Sequence, residues 1–422
     1  MNEINSQTAS LLENPPPHQL IGLAALMRMA VSGVDLGPLG SQLIAQLSGE
    51  PDTRDANALM DLSTVLQLRG NHDLALDIQS QALLLQQIYQ IPMRRGLGDR
   101  NSAAIRLLAI MGPGDLMANS PVEFLLEDED VALDIVYVTD QLDLPELLPD
   151  HDVLFVAIAE SEANIPLLQK IQPHIAVWPR PVLNDPARIA LLSRDNNCAL
   201  LKSVPGLDMP ATVRISRDDL VQIGEGTLPV TSVIDDGDFP VIVRPVDSHA
   251  GKGLDKLAER TEIAAYLQAN EQGEFFISRF VDYRNADGLF RKYRIVLIKG
   301  RPFLCHMGIS SHWMIHYLNA GMAESAEKRA EEAQVMADFD RTFALQHKEA
   351  FAAINERIGL DYLGIDCAVS AGGKLLIFEV DSCMIVHAVD PVDIFPYKQP
   401  QMHKVFGAFY QMLAETACAR PA

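Results

Sequence analysis

The residues with the clearest capacity for chemistry lie in the segment FPVIVRPVDSHAGKGL, at positions 239–254. A strand is expected to run to Arg244, and a loop that contains Gly251 and Gly253 follows it. Glycine lets backbone N–H groups approach an anion closely, and a cation at the strand end can pair with phosphate. The loop is not a Walker A motif, because glycine rather than serine or threonine follows Lys252. Taken alone, such a segment is more often an ordinary turn.

A second segment, GIDCAVSAGGKLLIFEVD at positions 364–381, supplies carboxylates. Two strands joined by a hairpin would place Asp366, Glu379 and Asp381 near one end of a sheet, and the last two, two residues apart, share a face. Three carboxylates on one face repel one another unless cations neutralise them, and oxygen ligands favour Mg²⁺, or Mn²⁺. The alternative, a solvated strand edge, is disfavoured by the apolar neighbours at 375–378.

The charge balance limits the partners. The 422 residues include 34 Lys+Arg and 56 Asp+Glu, a formal net charge of −22. Nucleic acid and anionic membrane surfaces are therefore excluded as expected partners, because binding them depends on a basic surface. One stretch departs from this background and predicts a small-anion site. Its seven basic residues are Arg279, Arg284, Arg291, Lys292, Arg294, Lys299 and Arg301.

Cysteine usage and hydropathy predict a cytoplasmic protein. The five cysteines are scattered and form no CxxC pair, which argues against a disulfide framework or a thiolate zinc site and fits a reducing compartment. The first 20 residues lack the basic and apolar regions of a signal peptide, and no apolar run approaches 18 residues.

Residues 18–90 have the apolar spacing of helices. The last two helices form a hairpin broken at Gly70, and this hairpin resembles one tetratricopeptide repeat or, equally, a generic helical pair. Gln79 and Gln87 depart from the repeat pattern, which has a large apolar residue and a proline there. One repeat does not make a free-standing array, so we expect the helices to pack against the next domain or a partner. The residues that match the repeat are Leu62, Ser63, Gly70, Ala75 and Ala82.

The rest of the chain predicts an α+β protein. AIRLLAIM, DIVYVT, VLFVAI and HIAVWP are short β-rich runs separated by helical or linking stretches, which indicates a small α/β domain with a parallel sheet. Beyond residue 210, strands joined by tight turns indicate antiparallel sheets. We therefore predict an α-helical domain at 1–98, an α/β domain at 99–205 and an α+β domain at 206–422.

Together, the glycine loop and the carboxylate hairpin resemble the ATP-grasp superfamily over roughly residues 104–417. Glutathione synthetase and the ribosomal-protein glutamate ligases are similar in the order of these elements. The resemblance implies an ATP-grasp fold at 206–422 and a pre-ATP-grasp domain at 99–205. It also implies ATP as a substrate and two Mg²⁺ ions held by Asp366, Glu379 and Asp381.

The resemblance further assigns the nucleotide contacts. Arg244 and Arg194 take the places of two phosphate-contacting lysines, and Arg294 matches the arginine that faces the acyl phosphate and γ-phosphate. Positions 276–280 correspond to the hinge that meets the adenine edge. Three departures from the pattern mark an outlying branch: arginine at both lysine positions, Arg279 in the hinge, and Asp381 where asparagine is usual. The remaining nucleotide residues are Ser248, Gly251, Lys252, Gly253, Ile277, Arg279, Phe280 and Asp282.

A histidine-rich stretch, CHMGISSHWMIHYLNAGM at 305–322, corresponds to the acceptor side of the related ligases. His312 and His316 are four residues apart, but Trp313 stands where a zinc protease needs glutamate, so zinc hydrolysis is not expected. We expect substrate recognition or proton handling from both histidines, with hydrogen-bonded loop histidines as the equal alternative. His387 is a weaker candidate.

The implied reaction is an ATP-dependent ligation of a carboxylate to an amine through an acyl phosphate, on a small molecule or on a peptide or protein recruited by the helices. Homo-oligomerisation is compatible with this reading. Two alternatives stay open. The chain could be an ATP-grasp phosphotransferase that stops at phosphoryl transfer, or a non-catalytic helical-repeat adaptor with a degenerate nucleotide domain. The presence of Asp366, Glu379 and Arg294 argues against the adaptor.

Overall fold

The computed structural model describes residues 18–47, 54–94, 100–235, 237–248 and 251–419. Helices and three sheets follow one another in the mixed α+β arrangement predicted from the sequence, which is confirmed. The prediction about a signal peptide concerns the first 20 residues, and these lie almost wholly outside the described residues. The helices are α1 (Leu23–Val31), α2 (Gly37–Gln46), α3 (Ala56–Leu68), α4 (His72–Leu85), α5 (Val122–Leu125), α6 (Ile165–Ile175), α7 (Pro186–Ile189), α8 (Arg194–Leu201), α9 (Arg217–Glu225), α10 (Ile263–Ala269), α11 (Ala326–Asp338), α12 (Phe343–Gln346), α13 (Lys348–Ile358) and α14 (Lys398–Cys418).

The strands form one sheet in the first half of the chain and two in the second. Their bounds are β1 (Ile88–Gln90), β2 (Ile105–Met111), β3 (Val131–Tyr137), β4 (Val153–Val156), β5 (Val182–Leu183), β6 (Leu207–Asp208), β7 (Thr212–Ser216), β8 (Val241–Pro245), β9 (Asp255–Leu257), β10 (Glu274–Arg279), β11 (Phe290–Ile298), β12 (Arg301–Ser310), β13 (Tyr362–Val369) and β14 (Leu375–Asp381).

Helices α3 and α4 form the predicted hairpin. Asp55 caps α3 by accepting a hydrogen bond from the Ala58 N–H. Ala75 and Ala82 are fully buried, and the Ser63 hydroxyl donates to the Ala75 carbonyl at 2.7 Å, so small side chains let the two helices pack closely. The tetratricopeptide likeness itself stays a prediction.

The two glutamines that depart from the repeat pattern attach this hairpin to the α/β domain. The buried Gln79 amide donates to the Gly114 carbonyl at 3.1 Å and accepts from the Gly114 N–H at 2.8 Å. The Gln87 amide donates to the carbonyls of Tyr137 and Asp143, at 3.2 and 2.9 Å. The departures are therefore explained by docking of the hairpin onto the next domain.

The first sheet has the order β1-β3-β2-β4-β5 and is parallel except for β1, which pairs antiparallel with β3. The prediction of helix up to residue 90 is wrong at its end, because Ile88–Gln90 is this edge strand and buries Tyr89. The predicted strand HIAVWP is also wrong. Residues 174 and 175 complete α6, and a turn follows them before β5.

The two later sheets have the orders β7-β10-β8-β9 and β12-β11-β13-β14-β6. Pairing within them is antiparallel, as predicted, except for β14 with β6. Helix α14 packs between the last sheet and the α/β sheet. Its Phe409 ring contacts Phe155 of β4 and Tyr362 of β13, at centroid distances of 5.7 and 5.5 Å. This aromatic cluster connects the α/β domain with the sheet that bears the carboxylates.

Candidate functional site

Four side chains form one row across the last sheet. Strand register places His306 of β12 opposite Arg294 of β11, Arg294 opposite Asp366 of β13, and Asp366 opposite Glu379 of β14. Irregularities in the ladder follow Arg294 and Asp366 directly, a feature often found beside functional sites. Because directly opposed residues share a face of the sheet, the row places one arginine, two carboxylates and an imidazole side by side.

Two cations hold Asp366, which is only 3% exposed. The Arg294 guanidinium donates to both carboxylate oxygens, at 2.9 and 3.0 Å, and the Lys292 ammonium donates to one of them at 2.9 Å. Burial alone would raise the pKa of Asp366, but Arg294 and Lys292 hold that pKa well below its usual range. Asp366 is therefore ionised under all ordinary conditions.

Arg194 reaches the other carboxylate of the row from α8, which begins at this residue. Its guanidinium pairs with the half-buried Glu379 carboxylate and donates to the Phe378 carbonyl at 3.1 Å. Burial would raise the pKa of Glu379, but the charges of Arg194 and Arg244 lower it. The structure therefore brings Arg194 together with the predicted metal ligands.

Arg244 lies next to the last residue of β8 and is buried beside this pair. Its guanidinium donates to the Ser248 hydroxyl at 3.1 Å and to the Ser248 carbonyl, which ties it to the start of the glycine loop. Burial and the neighbouring Arg194 charge lower the pKa of Arg244 to about 9. Glu379 is its nearby anion but is already paired with Arg194, so a further anionic ligand would be stabilised next to Arg244.

The glycine loop is shaped by its glycines at the two places where the backbone requires them. Gly251 and Gly253 have φ of 77° and 66°, values that L-residues seldom adopt. A Cβ on Gly253 would come within 2.8 Å of the Pro245 ring, and the Gly253 carbonyl accepts from the Tyr266 hydroxyl at 2.8 Å. Residues 249 and 250 of the predicted loop lie outside the described residues, and Lys252 is exposed.

The assignment of Asp366, Glu379 and Asp381 as joint metal ligands stays a prediction, and the structure gives Asp381 a different partner. Within the described ranges, no group of three or more His, Cys, Asp or Glu side chains has a geometry that could hold a metal. Asp381 instead accepts from the Cys383 N–H at 3.1 Å and from the Cys383 thiol at 3.0 Å. Asp366 and Glu379 remain as two ionised oxygen donors on facing strand positions, and that donor chemistry fits Mg²⁺.

The prediction of a hinge at 276–280 is corrected at Ile277. Strand β10 is central in its sheet, so Ile277 pairs with Val213 on one side and Val243 on the other, and its side chain is fully buried. Its backbone groups are not available to an adenine edge. The Phe280 N–H is also used, donating to the Pro240 carbonyl at 3.0 Å. The sequence did not reveal that this strand is paired on both sides, because its partners β7 and β8 are distant segments.

The side chains of the other hinge residues are paired with carboxylates or basic groups close to them in space. The Arg279 guanidinium donates to Asp208 at 2.8 Å, and Asp282 is exposed and pairs with Arg284. The basic stretch around them is therefore not one cationic surface: Arg291 pairs with Asp287 and Glu331, and Lys299 with Asp361. Of the seven basic residues, Lys292 and Arg294 are the ones whose contacts reach the row.

Aromatic and cationic side chains lie together beside the glycine loop. The Lys256 ammonium lies 4.0 Å from the centre of the Phe280 ring, and that ring packs edge-on against Trp313 at 5.7 Å. A Cβ on Gly251 would lie 3.4 Å from the sulfur of Met314. Residues 313 and 314, in the segment that follows β12, therefore lie close to the glycine loop and to the end of β10.

The structure separates the three histidines near the acceptor side. His312 is exposed and stacks on Trp313. Burial and the charges of Lys292 and Arg294 lower the pKa of His316, so His316 lies near the row. His306 lies in the row itself, and burial together with Arg294 and Lys398 lowers its pKa well below the usual value. Its Nδ1 atom is buried without a hydrogen-bond partner among the described residues.

Sequence reasoning missed Lys292, His306 and Glu160. Lys292 is two residues from Arg294 on one strand, a spacing that could have identified it. His306 could have been found only from strand register. Glu160 follows β4, and burial together with the charges of Asp247 and Asp381 raises its pKa to about 8. It therefore lies at the site's edge, close to two residues of the predicted domain 206–422, Asp247 and Asp381.

His387, the weaker candidate, lies close to Phe124 of α5, at a ring-centroid distance of 6.2 Å. Burial lowers its pKa. It therefore faces the α/β domain.

In the described part of the chain, no helix is both long enough and apolar enough to span a membrane.

Comparison with known proteins gives similarity to solved structures alone. No protein-family model and no curated protein matches the chain. D-alanine–D-alanine ligase from Bacillus anthracis complexed with ATP is 13% identical, with a TM-score of 0.44 over 74% of this chain and 97% of that one. The D-Ala:D-Ser ligase from Enterococcus faecalis has 13% identity and a TM-score of 0.44, over 73% and 99% of the two chains. The D-alanine–D-alanine ligase from Coxiella burnetii has 12% identity and a TM-score of 0.45, over 74% and 95%.

Proposed function

We propose that this protein is an ATP- and Mg²⁺-dependent ligase that joins a carboxylate to an amine through an acyl phosphate. The observation that carries the proposal is the convergence of Arg194, Arg244, Lys292 and Arg294 on the facing carboxylates Asp366 and Glu379. Four cations around two anions leave a positive excess in a half-buried place. Such an excess suits a polyphosphate chain next to a reacting carboxylate.

The first step transfers the γ-phosphoryl group. A substrate carboxylate oxygen attacks the γ-phosphorus, the bond from that phosphorus to the β,γ-bridging oxygen breaks, and ADP leaves with the electron pair. Arg244 and Arg194 would bind the phosphates, and Arg294 would balance the charge that develops on the transferred group. Because the reaction has little covalent work for the protein, alignment and charge balance are its main contributions.

The second step forms the amide. The amine attacks the acyl carbon, and the carbon–oxygen bond to phosphate breaks with release of inorganic phosphate. The amine must lose a proton, and the imidazole of His306, which lies in the row and whose Nδ1 atom has no partner in the described structure, would accept it. His316, which lies near the row, is a second candidate.

Mg²⁺, bound by Asp366 and Glu379, would neutralise the phosphate oxygens and make the phosphorus more electrophilic. Both carboxylates are ionised without it, so they are ready to act as ligands. In the structure, Arg194, Arg294 and Lys292 balance the charges of these two carboxylates. These cations would turn from the carboxylates to the phosphates once the ion is bound.

The experiment is a coupled assay of ADP release from the full chain with ATP and Mg²⁺ over a panel of carboxylates and amines, with products identified by mass spectrometry. ADP release that requires both substrates, together with a new amide, supports the proposal. ADP release with a phosphorylated product and no amide contradicts the ligase and supports the phosphotransferase. Failure to bind ATP contradicts both.

A further inference from the structure

A cavity of about 80 Å³, partly open to solvent, separates the N-terminal helices from the α/β domain. Its walls come from α1, α3 and α4 on one side and from the segment that follows β2 on the other. That segment follows the carboxyl end of a parallel strand, the edge where α/β sheets bind ligands. Apolar side chains form much of the wall, including Leu20, Met27, Met60, Leu116 and Ile385.

Carboxylates and one amide oxygen are the notable acceptors of this cavity, and the hydroxyls of Thr64, Ser120 and Tyr137 also line it. Glu123 is half-buried in the wall, and one of its carboxylate oxygens accepts a hydrogen bond from the Ala24 N–H at 3.1 Å. Asp61, 1% exposed, accepts from the N–H groups of Ile21 and Gly22, at 2.7 and 3.1 Å, and from His18. Gln67, 7% exposed, also lines the cavity, and its Oε1 atom is buried without a hydrogen-bond partner among the described residues.

The charges that line the cavity have one sign. Asp61, Asp115 and Glu123 are the charged lining residues, and no lysine, arginine or histidine belongs to the lining that the structure describes. Burial, with the Asp61 charge as a further contribution, raises the pKa of Glu123 to about 7. An unpaired amide acceptor and an excess of carboxylates are both satisfied by a ligand that donates hydrogen bonds and carries positive charge.

We propose that this cavity binds a small amine whose ammonium group is recognised by Glu123 and Gln67 and whose apolar body packs on the surrounding leucine, methionine and isoleucine side chains. The ligand class is thus a primary amine with a compact hydrocarbon portion. A carboxylate or phosphate ligand would meet acids without a counter-charge. A neutral hydrocarbon would leave the Gln67 acceptor unsatisfied.

The cavity adjoins the row of charged residues through two contacts. Ile385 lines the cavity, and its carbonyl accepts from the Arg294 guanidinium at 3.4 Å. Ser120 also lines it, and the Ser120 hydroxyl donates to the Ser382 carbonyl at 2.7 Å, in the segment that follows Asp381. If the chain is the ligase proposed above, on which this step rests, the cavity holds the acceptor amine before it reaches the row.

The test is isothermal titration calorimetry of the full chain with isopentylamine at pH 8, without nucleotide. Isopentanol and isovalerate, of the same hydrocarbon shape, are the ligand controls. The amine is expected to bind, and Glu123→Gln to weaken it about 10-fold by removing the charge. Gln67→Met, which keeps the volume and removes the acceptor, should weaken it about 3-fold. Glu146→Gln, at an exposed position outside the cavity, should leave the affinity unchanged.

The proposal is overturned if the wild-type chain does not bind isopentylamine, if Glu123→Gln and Gln67→Met both bind it as tightly as wild type, or if the acid and the alcohol bind equally well. Gln67→Met keeps the test decisive if Glu123→Gln fails to fold. Because ATP is absent, the outcome is independent of the ligase reaction. ADP release without amine binding overturns the cavity alone, and amine binding without ATP binding overturns the ligase alone.

Discussion

Two pairs of carboxylates in this protein have the same composition and opposite electrostatics. Each contains a buried aspartate and a half-buried glutamate: Asp366 with Glu379 in the last sheet, and Asp61 with Glu123 at the cavity. The pKa values of the first pair are lowered, and those of the second are raised. Burial acts on all four in the same direction, so the difference lies in their partners.

Arginine and lysine side chains surround the first pair, whereas backbone N–H groups and His18 contact the second. A full positive charge outweighs desolvation, and backbone hydrogen bonds offset only part of it. The first pair is therefore already ionised and surrounded by cations that can be released to an anionic ligand. The second pair has no lysine or arginine partner in the described part of the chain, and a cationic ligand would supply such a charge. This difference is what the following variants test.

The largest effect is expected for Glu379→Gln. The substitution removes the charge that Arg194 and the metal share, so ADP release should fall about 100- to 1,000-fold, as for loss of one preorganised charged group. The measurement is the steady-state rate of ADP production at saturating ATP. Glu349→Gln, on the exposed face of α13, is the matched control and should keep the wild-type rate. An unchanged rate in Glu379→Gln would contradict the site.

Arg244→Met should act on nucleotide affinity. It removes the buried guanidinium that contacts Ser248, so the Kd for ADP should rise about 10- to 100-fold, equivalent to about 1.4–2.7 kcal/mol. Calorimetric titration with ADP and Mg²⁺ measures it. Arg341→Met, which changes an exposed arginine paired with Asp338, is the control. Equal affinity for the two variants would show that Arg244 does not bind phosphate.

Gln79→Leu tests how the cavity is assembled. The variant leaves the Gly114 N–H without its side-chain partner and leaves the Gly114 carbonyl with only the longer bond from Gln67 at 3.4 Å, so the free energy of unfolding should fall by about 1–3 kcal/mol. Urea denaturation followed by circular dichroism measures this loss. Gln411→Leu, at an exposed position of α14, should change stability by less than about 0.5 kcal/mol.

The smallest effect is expected for Glu123→Gln on stability, and its sign depends on pH. Because the pKa of Glu123 is raised to about 7 in the fold, the wild-type free energy of unfolding should fall as pH rises from the unfolded pKa near 4.5 through 7. At pH 8 the glutamine variant should be more stable than wild type by about 1 kcal/mol, after discounting for partial exposure. Below pH 4.5 the two should converge. A wild-type advantage at pH 8 would mean that the cavity already contains a counter-charge.

Local patterns predicted much of the candidate site. The hairpin from 364 to 381 sets Asp366 opposite Glu379, in line with the prediction that both lie near one end of a sheet. Where pairing partners lie far apart in the chain, prediction was wrong. Ile277 is central because β7 and β8 flank it, and Ile88–Gln90 is a strand because β3 pairs with it.

The sequence alone determined the α+β class, the glycine loop, the carboxylate hairpin and the residue types that could bind phosphate. These depend on interactions between near neighbours, which periodicity and turn chemistry record. Only the tertiary structure decided that Asp381 turns to Cys383, that His306 joins the row, and that Glu123 and Gln67 line one cavity. Those outcomes depend on the packing of distant segments, and the pKa direction of each carboxylate follows from the partners that this packing supplies.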